Sequence, residues 1–114
     1  MFSFFSKSNQ NDIDISADEF RQRLESDSGV VIDVRTLNEY NEGHLKITDE
    51  QYNWLDGEFQ NAAEEMDKNK TYYLYCRSGN RSGQAARFMK DKGFEKAYNV
   101  GGYDALVRSG FESD

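Results

Sequence analysis

Tyr72-Tyr73-Leu74-Tyr75-Cys76-Arg77-Ser78-Gly79-Asn80-Arg81-Ser82 is the stretch on which the fold turns. Its first four residues are aromatic or aliphatic and predict a buried strand, and the polar, glycine-containing run from Cys76 to Ser82 predicts a tight turn. Beyond it Ala85, Phe88 and Met89 fall on one face of a helix that runs to Gly93, a suitable C-terminal cap. Strand, turn and helix therefore follow one another without a spacer.

Upstream, Gly29 ends a turn and Val30-Val31-Ile32-Asp33-Val34 is a largely β-branched run, the pattern of a strand covered on both faces. Before it, Ser16-Ala17-Asp18-Glu19 fits a capping box, after which Ala17, Phe20 and Leu24 share one helical face. Phe59, Ala62, Ala63 and Met66 have the i, i+3, i+4, i+7 spacing of another helix, closed by Lys68-Asn69-Lys70. Downstream, Ala97-Tyr98-Asn99-Val100 predicts a short strand, and Gly101-Gly102 turns into a last helix carrying Leu106 and Val107. Strands and helices alternating at this spacing imply an α/β domain with a mostly parallel central sheet flanked by helices on both faces. Functional groups then gather beyond the carboxyl ends of the strands, after Val34 and Tyr75.

The 114 residues suit one domain, and 37% hydrophobic with 14% aromatic residues suit a packed core. One Cys excludes an internal disulfide, and one Cys with one His excludes a zinc knuckle of four such ligands, so the reading calls for no metal and no cofactor. The net charge of −7 argues against a broad nucleic-acid or anionic-membrane surface, while leaving room for a local cationic site. No apolar stretch approaches the ~20 residues of a membrane span. Met1-Phe2-Ser3-Phe4-Phe5-Ser6-Lys7 is too short for a signal-peptide core and has no basic flank before it. The expected organisation is a flexible N-terminal segment over residues 1–11, loose or docked on the surface, and one domain over residues 12–114 of a cytoplasmic protein.

The only thiol, Cys76, opens the turn that leads into a helix N-terminus, where backbone N–H groups converge on one point and favour a thiolate or an anion. The helix dipole and the guanidinium groups of Arg77 and Arg81 favour the thiolate, the form that attacks. Gly79 allows positive φ, and Asn80 tolerates it nearly as well. The bland alternative is a buried, inert cysteine with two solvated arginines.

Cys76-Arg77-Ser78-Gly79-Asn80-Arg81-Ser82 resembles the active-site loop of the rhodanese-like (sulfurtransferase) domains. Asp33-Val34-Arg35 with Glu39-Tyr40 and Gly43-His44-Leu45 resembles that family's first motif, and Gly101-Gly102-Tyr103-Asp104-Ala105-Leu106 its closing one, in the family's order and over residues from about Ile13 to Gly110. The resemblance implies a loop cysteine, Cys76, that accepts a sulfane sulfur as a persulfide and passes it on. It implies that Arg77, Ser78, Gly79, Asn80, Arg81 and Ser82 bind the substrate, with Arg77 and Arg81 holding an anionic donor such as thiosulfate. The acceptor would be a thiol, a cyanide-like nucleophile or a protein, with no nucleic acid and no membrane involved. Asp33, Arg35 and Glu39 are assigned to support, and Arg35 and Glu39 either pair with each other beside the loop or stand solvated at a strand end. His44 is assigned a structural hydrogen bond rather than the role of general base. Trp54 and Tyr72 to Tyr75 are expected in the core.

One stretch departs from the family pattern. After Leu45, Lys46-Ile47-Thr48-Asp49-Glu50-Gln51 is longer, more acidic and lacks the usual proline, which is expected to alter the pocket wall near the loop. Two other functions fit the same architecture. A Cys-based phosphatase or arsenate reductase would need a Cys-x5-Arg loop around a tetrahedral oxyanion, whereas Cys76 to Arg81 is one residue shorter. A non-catalytic rhodanese-like binding module would commonly lack the loop cysteine.

Overall fold

The third strand sets the frame of the computed structural model, which describes residues 12–114; the aromatic N-terminal stretch lies outside the described residues. In chain order the elements are α1 (Ala17–Ser26), β1 (Val30–Asp33), α2 (Leu37–Glu42), β2 (Glu50–Gln51), α3 (Glu58–Ala63), β3 (Tyr72–Cys76), α4 (Asn80–Asp91), β4 (Ala97–Gly102) and α5 (Tyr103–Arg108). All five residues of β3 are buried. The sheet has the order β2-β1-β3-β4 and every pairing is parallel. No helix among the described residues is long and apolar enough to cross a membrane.

Alternation along β3 divides the interior into two cores. Tyr72, Leu74 and Cys76 face α3 and α4, packing with Phe59, Ala63, Ala85, Ala86 and Met89. Tyr73 and Tyr75 face the other way, onto Phe20 of α1 and Leu106 of α5. The buried tyrosines keep their hydroxyls satisfied: Tyr73 donates to the Asp27 carbonyl at 3.0 Å, and Tyr75 accepts from Leu45 N–H at 3.0 Å. Burial, with Asp27 nearby, pushes the Tyr73 phenol up to about 12.

Local signals account for most of the helices. Ser16 caps α1, accepting from Glu19 N–H at 3.1 Å, but Glu19 does not close the box, because its carboxylate pairs with Arg23 one turn on at 2.7 Å. The complete capping box stands at α2 instead, between Thr36 and Glu39. Helix α3 stops at Ala63, before Met66, which is only partly buried against the core. The two-residue strand β2 pairs with β1 at the sheet edge.

The departing segment after Leu45 belongs to that edge. Asp49 N–H donates to the Val31 carbonyl, Tyr52 N–H to Asp33 and Trp54 N–H to Val34, at 2.8–3.1 Å. These bonds fasten the segment to β1 rather than to the loop after β3, which leaves a central strand. Its link to the helix beyond that loop is Trp54 Nε1, which donates to Gln84 Oε1 at 2.9 Å. Trp54 is half-buried, with its ring against Phe59 and Phe88.

Candidate active site

Cys76 is the last residue of β3, and the chain turns at once into α4 through Arg77, Ser78 and Gly79. Gly79 caps the helix at φ +94°, a conformation that L side chains rarely adopt, and no side chain supplies a cap. The sulfur occupies that position instead: Gly79 N–H donates to Cys76 Sγ at 3.1 Å, and Ser82 Oγ lies 3.3 Å from it. Cys76 is 0% exposed, so burial pushes its thiol up. The Ser82 hydroxyl and the backbone amides of Ser82, Ser78 and Gly79 outweigh that penalty, and the net shift is below the ordinary thiol value.

The end of β4 closes over the loop. A Cβ on Gly102 would stand 2.5 Å from the Arg77 carbonyl oxygen and 3.0 Å from Ser78 Cα, so only glycine permits this approach. The same strand brings Asn99 to the loop, where its Nδ2 donates to the Gly79 carbonyl at 3.0 Å. Asn99 carries no motif signal in the sequence.

The arginines near the loop differ in their partners. Arg81 makes a two-point pair with Glu39, at 2.9 and 3.0 Å, while Arg77 is 71% exposed and reaches Glu39 only at 3.4 Å. Glu39 is held at about 2, first by Arg81, against a burial penalty, and then by Thr36. Arg35 does not pair with Glu39. It is buried against Asp33, with Nη2 to Oδ2 at 2.7 Å, and donates to the Gly43 carbonyl at 2.7 Å. The rings of Tyr103 and Tyr75 flank its guanidinium at 4.6 and 5.6 Å. The neighbour in sequence takes Arg35 because Asp33, at the end of β1, is already buried and needs a counter-charge there.

His44 stacks on Tyr40, with ring centroids 3.7 Å apart, and its Nδ1 lies 2.9 Å from the Tyr40 carbonyl. Its Nε2 is 3.5 Å from Asp114. Among the described residues it makes no hydrogen bond to the sulfur. Asn80 opens α4 as an exposed residue, and Ser78 is exposed on the loop. A cleft of about 170 Å³ beside the loop is lined by Arg35, Glu39, Glu42, Arg77, Tyr103 and Asp104.

A parallel sheet with this order, a cysteine at the end of its third strand and a loop leading straight into a helix accompany a sequence match to the rhodanese-like domain over residues 16–109. The chain belongs to the rhodanese-like domain family. Among relatives of this rhodanese-like domain, YrkF of Bacillus subtilis, provisionally named a sulfur carrier protein, is 38% identical over 88 residues. That match takes in 76% of this chain and 46% of YrkF, so the chain spans about half of that relative's length. The thiosulfate sulfurtransferase GlpE of Actinobacillus pleuropneumoniae is 28% identical over 102 residues, 85% of this chain and 88% of GlpE. A solved rhodanese-like domain protein from Staphylococcus aureus superposes with a TM-score of 0.70 at 28% identity, covering 88% of this chain and 96% of the other.

Proposed function

We propose that this rhodanese-like domain is a sulfurtransferase that carries sulfane sulfur as a Cys76 persulfide. The observation that carries the reading is the sulfur's position at the N-terminus of α4, with Gly79 N–H and the Ser82 hydroxyl at bonding distance. Those donors stabilise a negative sulfur in a buried site, where each is worth more than in water.

With thiosulfate as donor, the Cys76 thiolate attacks the outer sulfur. The Sγ–S bond forms, the S–S bond of thiosulfate breaks, and its electron pair leaves on sulfite. The product is a persulfide whose negative charge sits on the terminal sulfur. A thiol, cyanide or a protein thiol then takes that sulfur and returns the Cys76 thiolate, a two-step covalent cycle. Arg77, exposed at the loop and held only by a long contact to Glu39, is the cation available to meet an anionic donor. Arg81 supports the loop through Glu39 rather than meeting the donor itself. That geometry also argues against phosphatase or arsenate reductase chemistry, because an arginine committed at two points to a carboxylate is not free to clasp a tetrahedral anion.

Incubation with thiosulfate followed by intact-mass measurement tests the reading. The expected result is the addition of one sulfur atom to the wild type and none to Cys76→Ser. Equal addition to both, or none to either, overturns it. A thiol that resists alkylation at neutral pH favours the non-catalytic binding module.

A further inference from the structure

Four hydrogen bonds meet on the side chain of Asn99, and their directions are determined by its partners. Nδ2 donates to Asp14 Oδ1 at 2.9 Å and to the Gly79 carbonyl at 3.0 Å. Oδ1 accepts from Gly101 N–H at 3.1 Å and lies 2.6 Å from Ser82 Oγ. Turning the amide over would set its oxygen against a carboxylate and a carbonyl and its NH2 against an N–H, so it cannot turn. The backbone of the same residue is bonded on both sides, from Asn99 N–H to Ile13 and from Ile15 N–H to Asn99. Oδ1 is therefore a fixed acceptor facing Ser82.

Ser82 is fully buried and has one hydroxyl proton for two acceptors, Asn99 Oδ1 at 2.6 Å and Cys76 Sγ at 3.3 Å. A neutral sulfur is a weak acceptor, so the proton points to Asn99. A negative sulfur accepts a charge-assisted bond, so the hydroxyl turns toward Sγ. We propose that Asn99 is a positioning residue that holds the Ser82 hydroxyl while Sγ is neutral and releases it when Sγ is charged. The hydroxyl then turns twice in each cycle: onto Sγ in the thiolate, and back to Asn99 in the persulfide, where the charge has moved to the terminal sulfur. No O–H bond breaks. The inference rests on the reading that Cys76 reacts as a thiolate.

The charged groups around this network are Asp14 on the stretch before α1, Arg77 on the loop, and Arg81 of α4 paired with Glu39 of α2. All are unchanged in the variants that test the proposal, so differences between those variants report on Ser82 and Asn99. The ionisation of Cys76 in the full chain is followed by thiolate ultraviolet absorbance and by the pH profile of iodoacetamide alkylation. Asn99→Ala is expected to lower the Cys76 pKa by about half to one unit, because the thiol state alone loses a hydrogen bond. Ser82→Ala is expected to raise it, and Asn99→Ala made in that background is expected to shift it no further. A rise in Asn99→Ala, or the same shift in both backgrounds, overturns the proposal and leaves Asn99 as a clamp on the loop. Should Asn99→Ala not fold, Asn99→Ser keeps a short hydroxyl that can accept from Gly101 N–H but stops short of Ser82. It is expected to lower the pKa with Ser82 present and to leave it unshifted in Ser82→Ala, and a rise, or the same shift in both backgrounds, overturns the proposal. A wild type that takes up sulfur yet shows no coupling refutes only this inference, whereas one that ionises but takes up no sulfur refutes the transfer reading.

Discussion

At the scale of single residues, the chemistry concentrates on a sulfur whose reactivity is set by what surrounds it. Cys76 combines complete burial with two donors at 3.1 and 3.3 Å, so the thiolate is favoured by hydrogen bonds rather than by solvent. Gly102 is as necessary to this arrangement as the donors. Gly102→Ala places a methyl group 2.5 Å from the Arg77 carbonyl, and the loop must shift. The expected cost is about 1–3 kcal/mol of stability, read from the denaturant midpoint, together with slower alkylation of Cys76. Arg77→Ala removes an exposed cation at the mouth of the site, and its expected effect is a several-fold higher KM for thiosulfate with kcat little changed. Steady-state kinetics at low and high salt check this, since an electrostatic contact on the surface fades as salt rises.

At the scale of elements, Glu39 joins two helices that have no core contact of their own in common. Its backbone and side chain complete the capping box with Thr36 at the start of α2, and its carboxylate holds Arg81 in the first turn of α4. The carboxyl is held at about 2, below its ordinary value of 4.5, so its contribution to stability is complete above about pH 4.5 and is lost as pH falls through about 2. The stability difference between the wild type and Glu39→Gln is therefore expected to be largest near neutral pH and to shrink across that window. Denaturant melts at a series of pH values measure it. The helix α2 was poorly legible in sequence because none of its residues is buried, so it shows no apolar stripe. Its one local signal was the Thr36-Leu37-Asn38-Glu39 box. Strand β2 had no signal, since Glu50 and Gln51 are polar and the strand exists only through its pairing with β1.

At the scale of the whole molecule, β1 and β3 carry both cores, and the charged pair at the end of β1 is sealed among them. Asp33 and Arg35 are 0% and 3% exposed, joined through two carboxylate oxygens and closed over by Tyr103. Removing one partner strands the other charge in the interior. Asp33→Ala is accordingly expected to cost about 3–5 kcal/mol in chemical denaturation, more than Glu39→Gln, whose partner Arg81 keeps some access to solvent. A loss below about 1 kcal/mol would contradict a sealed pair.

Local pattern by itself determined the α/β alternation, the buried strands at Val30 and Tyr72, the helix carrying Ala85, Phe88 and Met89 and the placing of Cys76 at a helix N-terminus, but not that this helix begins at Asn80, so that Arg81 and Ser82 lie in its first turn rather than in the loop. Those features follow from period, β-branching and glycine, which are properties of neighbours along the chain. The chain could not say which carboxylate each arginine would choose. Arg35 and Glu39 are four residues apart, yet Arg35 turned to Asp33 and Glu39 to Arg81, 42 residues away, because strand order brings the ends of β1 and β3 side by side. Asn99 was equally silent: only the parallel pairing of β4 with β3 sets its amide between Asp14, Gly79 and Ser82. Electrostatic partners and shared protons depend on distances in space, and those distances exist only once the sheet has formed.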